Sequence, residues 1–298
     1  MPVIVAISLS TFSWSAANLE PRDLPLGVAG PARATQAVEA KLAQQEGAFE
    51  IHRYADVAAA TNAIKDRKVY GAVVAGPGGQ TLLIASAASP TVANLLRENL
   101  AAPEAQVVDV APTPADDRRG TGFSSIGLPL VLAGVIGGVI ISLLGRPGLK
   151  EVGIIAATAA ATGLVTILMV QGWLGILEGP WLVNAGVVAL AVMATATAVA
   201  GLNALIGPAG FGLAALLFVF VGNPWSGIGS APELLPKAAG FIGQLFPSGA
   251  ASQLLRNTAF FDGAAADGKV AVLVTWIVLG VGAIMVGATR QHSGPQPS

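Results

Sequence analysis

The chain contains no cysteine, which excludes disulfides, cysteine-ligated zinc and thiol catalysis. It has two histidines, His52 and His292, which leaves little for metal ligation or acid–base chemistry. Charge is scarce too. Asp, Glu, Lys and Arg make up 11% of residues and the net charge is −1, against ~25% charged residues in soluble domains. The electrostatic footprint of a nucleic-acid binder is therefore missing. A phosphate-binding P-loop is missing as well. The nearest cluster, Gly76-Pro77-Gly78-Gly79, lacks the Lys-Ser/Thr pair and lies between two strand-like segments, so it reads as a turn. No nucleophile–base arrangement stands out, so neither an enzyme nor a cofactor is expected.

Apolar sequence is what the chain has in abundance. Hydrophobic residues make up 53%, and the mean hydropathy is +0.68. Five apolar blocks fill the second half, at 126–144, 152–173, 181–201, 209–221 and 270–288. Most approach the ~20 residues a helix needs to cross ~30 Å of hydrocarbon. Backbone in lipid must satisfy its own polar groups, so each block is expected to span as a helix. Small residues inside the blocks, among them Gly137, Gly138 and the run 156–163, suit close helix packing or a homodimer seam. Residues 3–17 are also apolar. They read as the outer part of a first transmembrane helix whose beginning is missing from the chain; a cleaved signal is the competing reading, without its basic n-region.

Residues 24–110 differ in character. Strand-like runs at 24–30, 49–54, 69–75, 81–86 and 105–110 alternate with helical periodicity at 33–45, 57–64 and 89–100. Asp56 and the pair Ser89-Pro90 are helix-start signals. The order βαβαββαβ predicts a small α/β domain. A Pro- and charge-rich stretch, 111–123, follows as an exposed linker, its Asp116-Asp117-Arg118-Arg119 run solvated. The expected fold is thus an α-helical polytopic membrane protein of about six transmembrane helices. An extracytoplasmic α/β domain is inserted between the first and second, and a membrane domain fills 124–289. Arg146 and Lys150 in the loop after the second span, and Arg290 in the 290–298 tail, mark the cytoplasmic side. Trp173, Trp181 and Trp225 fall at outer helix ends, as interfacial anchors do.

One outer segment, 223–262, is too apolar for a loop and is punctuated by Pro224, Pro232, Pro236 and Pro247. Its pieces are too short to span and read as half-helices around a vestibule. The candidate vestibule residues are Pro224, Trp225, Glu233, Pro236, Lys237, Pro247 and Arg256; the candidate cytoplasmic docking residues are Arg146 and Lys150. Glu233 and Lys237, four apart, suit a helix-surface pair. Arg256 after two leucines suits snorkelling to headgroups, with substrate contact as the alternative.

LPLGVAGP (24–31), VYGAVVAGPGG with LLIASAAS (69–89), and NPWSG, PELLP, FPSGA, LLR and FFDG before the last span carry a family resemblance. Together they resemble the membrane subunits of ATP-binding-cassette type 2 transporters, most closely the phage-infection-protein-like branch. The resemblance covers essentially the whole chain. It implies a bacterial plasma-membrane protein, often dimeric, that exports a hydrophobic or amphiphilic substrate with a separate ATPase. The chain departs from that pattern at residues 145–150, a loop too short for an ATPase-docking helix. The alternative is a non-transporting scaffold or receptor whose outer domain binds an envelope, phage or secretion partner.

Overall fold

A computed structural model describes residues 2–76, 79–102 and 104–292. Pro77 and Gly78 of the expected turn, and the tail from 293, lie outside the described residues.

The α/β head follows the expected order. Its elements are β1 (Leu24–Ala29), α2 (Ala32–Ala43), β2 (Phe49–Tyr54), α3 (Val57–Lys65), β3 (Gly71–Gly76), β4 (Gly79–Ile84), α4 (Pro90–Leu100) and β5 (Gln106–Asp109); α1 (Pro2–Ala17) precedes them. The sheet runs β2-β1-β3-β4-β5. β1 is parallel to β2 and β3, and β4 is parallel to β5. β3 and β4 form an antiparallel hairpin, from Gly71 opposite Ile84 to Gly76 opposite Gly79. Central β3 is covered on both faces and is buried nearly throughout, as its unbroken apolar run requires. Asp56 accepts a hydrogen bond from the Ala59 N–H at 2.8 Å and starts α3; Ser89 does the same for α4 from Val92 at 3.2 Å.

The second half comprises α5 (Thr121–Ser125), α6 (Gly127–Leu144), α7 (Leu149–Ile167), α8 (Trp181–Ile206), α9 (Ala209–Ala215), α10 (Lys237–Leu245), α11 (Pro247–Phe260) and α12 (Asp267–His292). π-helical turns extend α7 over Leu168–Trp173 and α9 over Leu216–Gly222. Among the described residues four segments are long and apolar enough to cross a membrane: Thr121–Leu144, Leu149–Trp173, Trp181–Ile206 and Asp267–Arg290. The chain therefore has the build of a membrane-embedded protein. α1, at 16 residues, and the apolar helix Ala209–Gly222 are shorter than those four.

α8 is the axis of the bundle. Of its apolar window 72% is buried, against 39% or less for the other three. α6, α7 and α12 pack around it and turn Ile136, Ile140, Ile154, Val165, Val278 and Leu279 outward. Close approach comes from glycine. A Cβ at Gly138 would press on the Ala196 carbonyl, one at Gly163 on the Ala185 carbonyl, and one at Gly280 on the Thr197–Ala198 backbone. Gly137, in contrast, faces open space.

The 111–123 stretch is not a free tether. Asp117 is buried and accepts from the N–H groups of Gly122 at 3.0 Å and Phe123 at 2.8 Å, fixing the start of α5. The head's apolar core also continues through Ala231, Leu234 and Phe261 of the membrane half. Backbone bonds from Glu20 N–H to Leu234 O and from Arg22 N–H to Glu233 O close the same seam. Head and bundle are one packed structure because apolar side chains from both meet in one core, flanked by hydrogen bonds that cross between them.

Candidate functional site

The segment between the π turn and α12 forms the half-helices that its prolines predict. α10 has 9 residues and α11 has 14. Pro236 precedes the first, and Pro247 opens the second after an extended Phe246. α11 is buried over nearly its whole length, between the head on one side and α8, α6 and α12 on the other. Its polar residues Gln253, Arg256 and Asn257 lie three and four positions apart, so they share a face.

Arg256 does not snorkel. It is 3% exposed, donates to Ala87 O at 2.8 Å and Ile228 O at 3.0 Å, and lies 4.2 Å from the Phe123 ring centroid. Burial, and then the nearby Arg67 charge, push its pKa down to about 9, which leaves the guanidinium charged at neutral pH. Two carbonyls and a ring face replace part of the water it has lost, and its Nε is buried with no partner among the described residues. Arg67 reaches α11 from the head. It donates to Asn257 Oδ1 and Gln253 Oε1, each at 3.0 Å, and lies over the rings of Tyr70 and Phe261. Arg67 stands just past the end of α3 with φ 61, a left-handed conformation that usually selects glycine. That conformation accompanies the crossing of its side chain to the bundle.

Glu233 and Lys237 do not pair. Pro236 separates a single 3-10 turn, Pro232–Leu234, from α10, so the two residues share no helix. Glu233 accepts from the Tyr70 hydroxyl at 2.8 Å, and Lys237 pairs with Asp23 at 2.5 Å. Burial first, then the Glu233 charge, push the Tyr70 phenol upward, so it remains a donor at neutral pH. Trp225 is not a free anchor either. Its Nε1 is buried with no partner among the described residues, and its backbone lies against Gly243 of α10. Trp173 is exposed at the end of its π turn, as an anchor would be.

An apolar cleft lies below this layer. α6, α8, α11 and the 223–228 turn border a small cavity of about 30 Å³ with Leu130, Val188 and Leu255 in its walls; Thr195, Ser226, Ser248 and Ser252 supply its hydroxyls, that of Ser248 buried with no partner among the described residues. Asn223, Ser226 and Ile228 also border a wider groove of about 300 Å³ on the α1 side, where Pro224 lies. Pro247 lines the inner cavity. The vestibule residues thus divide: Pro224 and Pro247 border the cleft, while Glu233, Lys237 and Arg256 belong to the seam with the head.

No protein-family model, curated protein or solved structure matches this chain. Its function is read from its own geometry.

At the opposite end of the bundle α6 and α7 are joined by residues 145–148 alone. Arg146 is exposed there, and Lys150, also exposed, falls in the first turn of α7 rather than in the loop. Two buried polar residues stand out, Glu151, which the sequence gives no reason to single out, and Asn184, which suits helix packing as a polar residue inside an apolar block. Glu151 is 3% exposed; one of its oxygens accepts from Ser142 at 2.6 Å and the other has no partner among the described residues. Asn184, fully buried in α8, donates to Gln171 Oε1 and Glu178 O and accepts from Thr258, which ties α7, α8 and α11 together. A lone asparagine inside an apolar block signals this role by its cost.

Proposed function

We propose that this chain is a permease-like membrane subunit that takes up a hydrophobic or amphiphilic molecule from the lipid and moves it outward. The observation that carries this reading is the cleft beneath the half-helices. Its walls are mostly apolar, with a few hydroxyl and amide groups from α8, α11 and the 223–228 turn, the composition that suits an amphiphile. The 300 Å³ groove beside α1 is its lateral approach. The inner cavity, at about 30 Å³, is far smaller than an amphiphile, so in this reading uptake requires α11 to part from α6.

In this reading α1 and Ala209–Gly222 complete six membrane segments. The head lies outside and Arg146, Lys150 and Arg290 inside, as basic residues in short loops favour. The resemblance to type 2 cassette permeases supplies the expectation of two copies, a bacterial plasma membrane and a separate ATPase. A photoactivatable fatty acid tests the cleft in reconstituted protein. It should label Leu130 and Ile228 as well as the outward-facing Val278. Ala251→Trp, which fills the cleft, should remove the first two labels and keep the third. Labelling of Val278 alone in the unmodified protein would reject uptake.

One observation favours a second reading, a non-transporting scaffold or receptor: the connection 145–148 has no helix to receive an ATPase. Under that reading mild-detergent purification recovers no ATPase, and deletion of 24–110 abolishes the phenotype. Recovery of a stoichiometric ATPase decides for the permease.

A further inference from the structure

The seam between head and bundle holds a second pocket, of about 200 Å³, separate from the apolar cleft. Arg67, Lys68 and Lys269 line it from the cationic side, and Glu233 is the one carboxylate among its lining residues. Asp66 neutralises Lys68, and the remaining lining charges, Arg67 and Lys269 against Glu233, keep one positive charge in excess. Lys68 faces Asp66 at the exposed margin, at 3.0 Å. Glu233 accepts from Tyr70, a neutral donor. Arg67 is held by two amide oxygens, which bear no charge. Lys269 has, among the described residues, one long hydrogen bond, 3.5 Å to Gln244 Oε1. An ammonium has three donors, so most of its capacity is open toward the pocket. Gln253, 5% exposed, uses its carbonyl on Arg67, which leaves its NH₂ group as a further donor.

We propose that this pocket binds a phosphate-bearing anion, held by Lys269 and Gln253 in the field of Arg67. Position points to the chemistry. Lys269 is the third residue of α12, a helix long enough to cross a membrane, so the pocket lies at the level of that helix's end, where lipid headgroups sit. The anion is supplied either by a lipid phosphate or by free phosphate. A compact tetrahedral anion suits a lysine together with amide donors, because a lysine acts on phosphate as a point charge. The bound anion bridges head and α12 and tightens the seam. This holds whether or not the chain transports anything.

The test uses the full chain in detergent and phosphate-free buffer, followed by thermal unfolding. Dioctanoyl phosphatidylglycerol and inorganic phosphate are the two probes, and dioctanoylglycerol is the phosphate-free control. Phosphatidylglycerol is expected to raise the midpoint and dioctanoylglycerol to leave it unchanged. Lys269→Gln should weaken the apparent affinity at least tenfold, Lys269→Arg should keep it, and Lys41→Gln, remote from the seam, should have no effect. Gln253→Glu still accepts from Arg67 but adds a negative charge, so it should fold and lose the response even if Lys269→Gln is too unstable to measure. A Lys269-dependent response to inorganic phosphate assigns a free-anion site; a response to the lipid alone assigns a headgroup site. The absence of any response to both phosphate probes, or a response as strong in Lys269→Gln and Gln253→Glu as in the wild type, overturns the proposal.

Discussion

Arg67 shows how a single side chain joins the two halves at a conformational cost. Its backbone has φ 61 just after α3, where glycine would be relaxed. Arginine is held there by the amides of Gln253 and Asn257, both nearly fully buried. Removing the guanidinium leaves two buried amide oxygens short of a donor, a loss of about 1–3 kcal/mol. Arg67→Ala suffers that loss and keeps the strain; Arg67→Gly suffers it and releases the strain. Thermal unfolding should therefore rank wild type above Arg67→Gly, and Arg67→Gly above Arg67→Ala by about 1 kcal/mol. An alanine variant as stable as the glycine variant would show that the left-handed turn relaxes freely and that the crossing to α11 does not hold it. Arg256 reaches the other side of the seam, bonded to Ala87, 169 positions away in sequence. A charge satisfied at such separation carries no local signature, which is why it reads from sequence as a lipid-facing cation. The helical spacing of Gln253, Arg256 and Asn257 is the signal that does exist. Three polar residues on one face of a helix otherwise rich in small and apolar residues require polar partners through space.

Among the elements, those legible in the sequence are the ones whose rules are local. Ser89-Pro90 and Asp56 start helices through bonds to residues three positions on, and both do so in the structure. Gly76 and Gly79 close a hairpin through adjacent strands. The long apolar blocks become long helices because nothing polar interrupts them. What was not legible is which face of each helix meets another, since blocks apolar all round give no stripe. Glycine decides it. Gly280 lies against the Thr197–Ala198 backbone of α8, whereas Gly282, two residues on, faces open space. Gly280→Leu should force α12 away from α8, at a cost of several kcal/mol, and yield aggregated or poorly expressed protein. Gly282→Leu should be tolerated and gain slightly from helix propensity, by up to about 1 kcal/mol. Size-exclusion profiles and thermal midpoints in one detergent separate the two. Equal behaviour of both variants would remove α8 as the axis of the bundle.

At the scale of the whole molecule the segments alternate in direction. α6 starts beside the head, where Gly122 and Phe123 bond Asp117, and it ends at the 145–148 connection. α7 returns to the head side, where Gly175 lies against Asp116. α8 leaves it again; Asn184 near its start bonds Thr258 of α11. α12 starts beside the seam pocket through Lys269 and ends at the far side with Arg290. One end of the bundle is therefore covered by an α/β domain, and the other carries Arg146, Lys150 and Arg290. In the proposed reading the head lies outside; basic residues flank the segments at both ends, Arg118, Arg119 and Lys269 on the head side, so the orientation is a matter for measurement. The absence of cysteine gives a clean way to measure it, because each introduced thiol is the only one in the chain. Asn62→Cys, exposed on α3 of the head, should react in intact cells with a membrane-impermeant maleimide; Leu149→Cys, exposed at the far end, should react only after permeabilisation. The reverse pattern would place the head in the cytoplasm. It would then turn the seam pocket toward the inner leaflet, and the cleft would open from the opposite face, so the proposed outward movement would lose its direction while the fold and the packing of α8 stayed as they are.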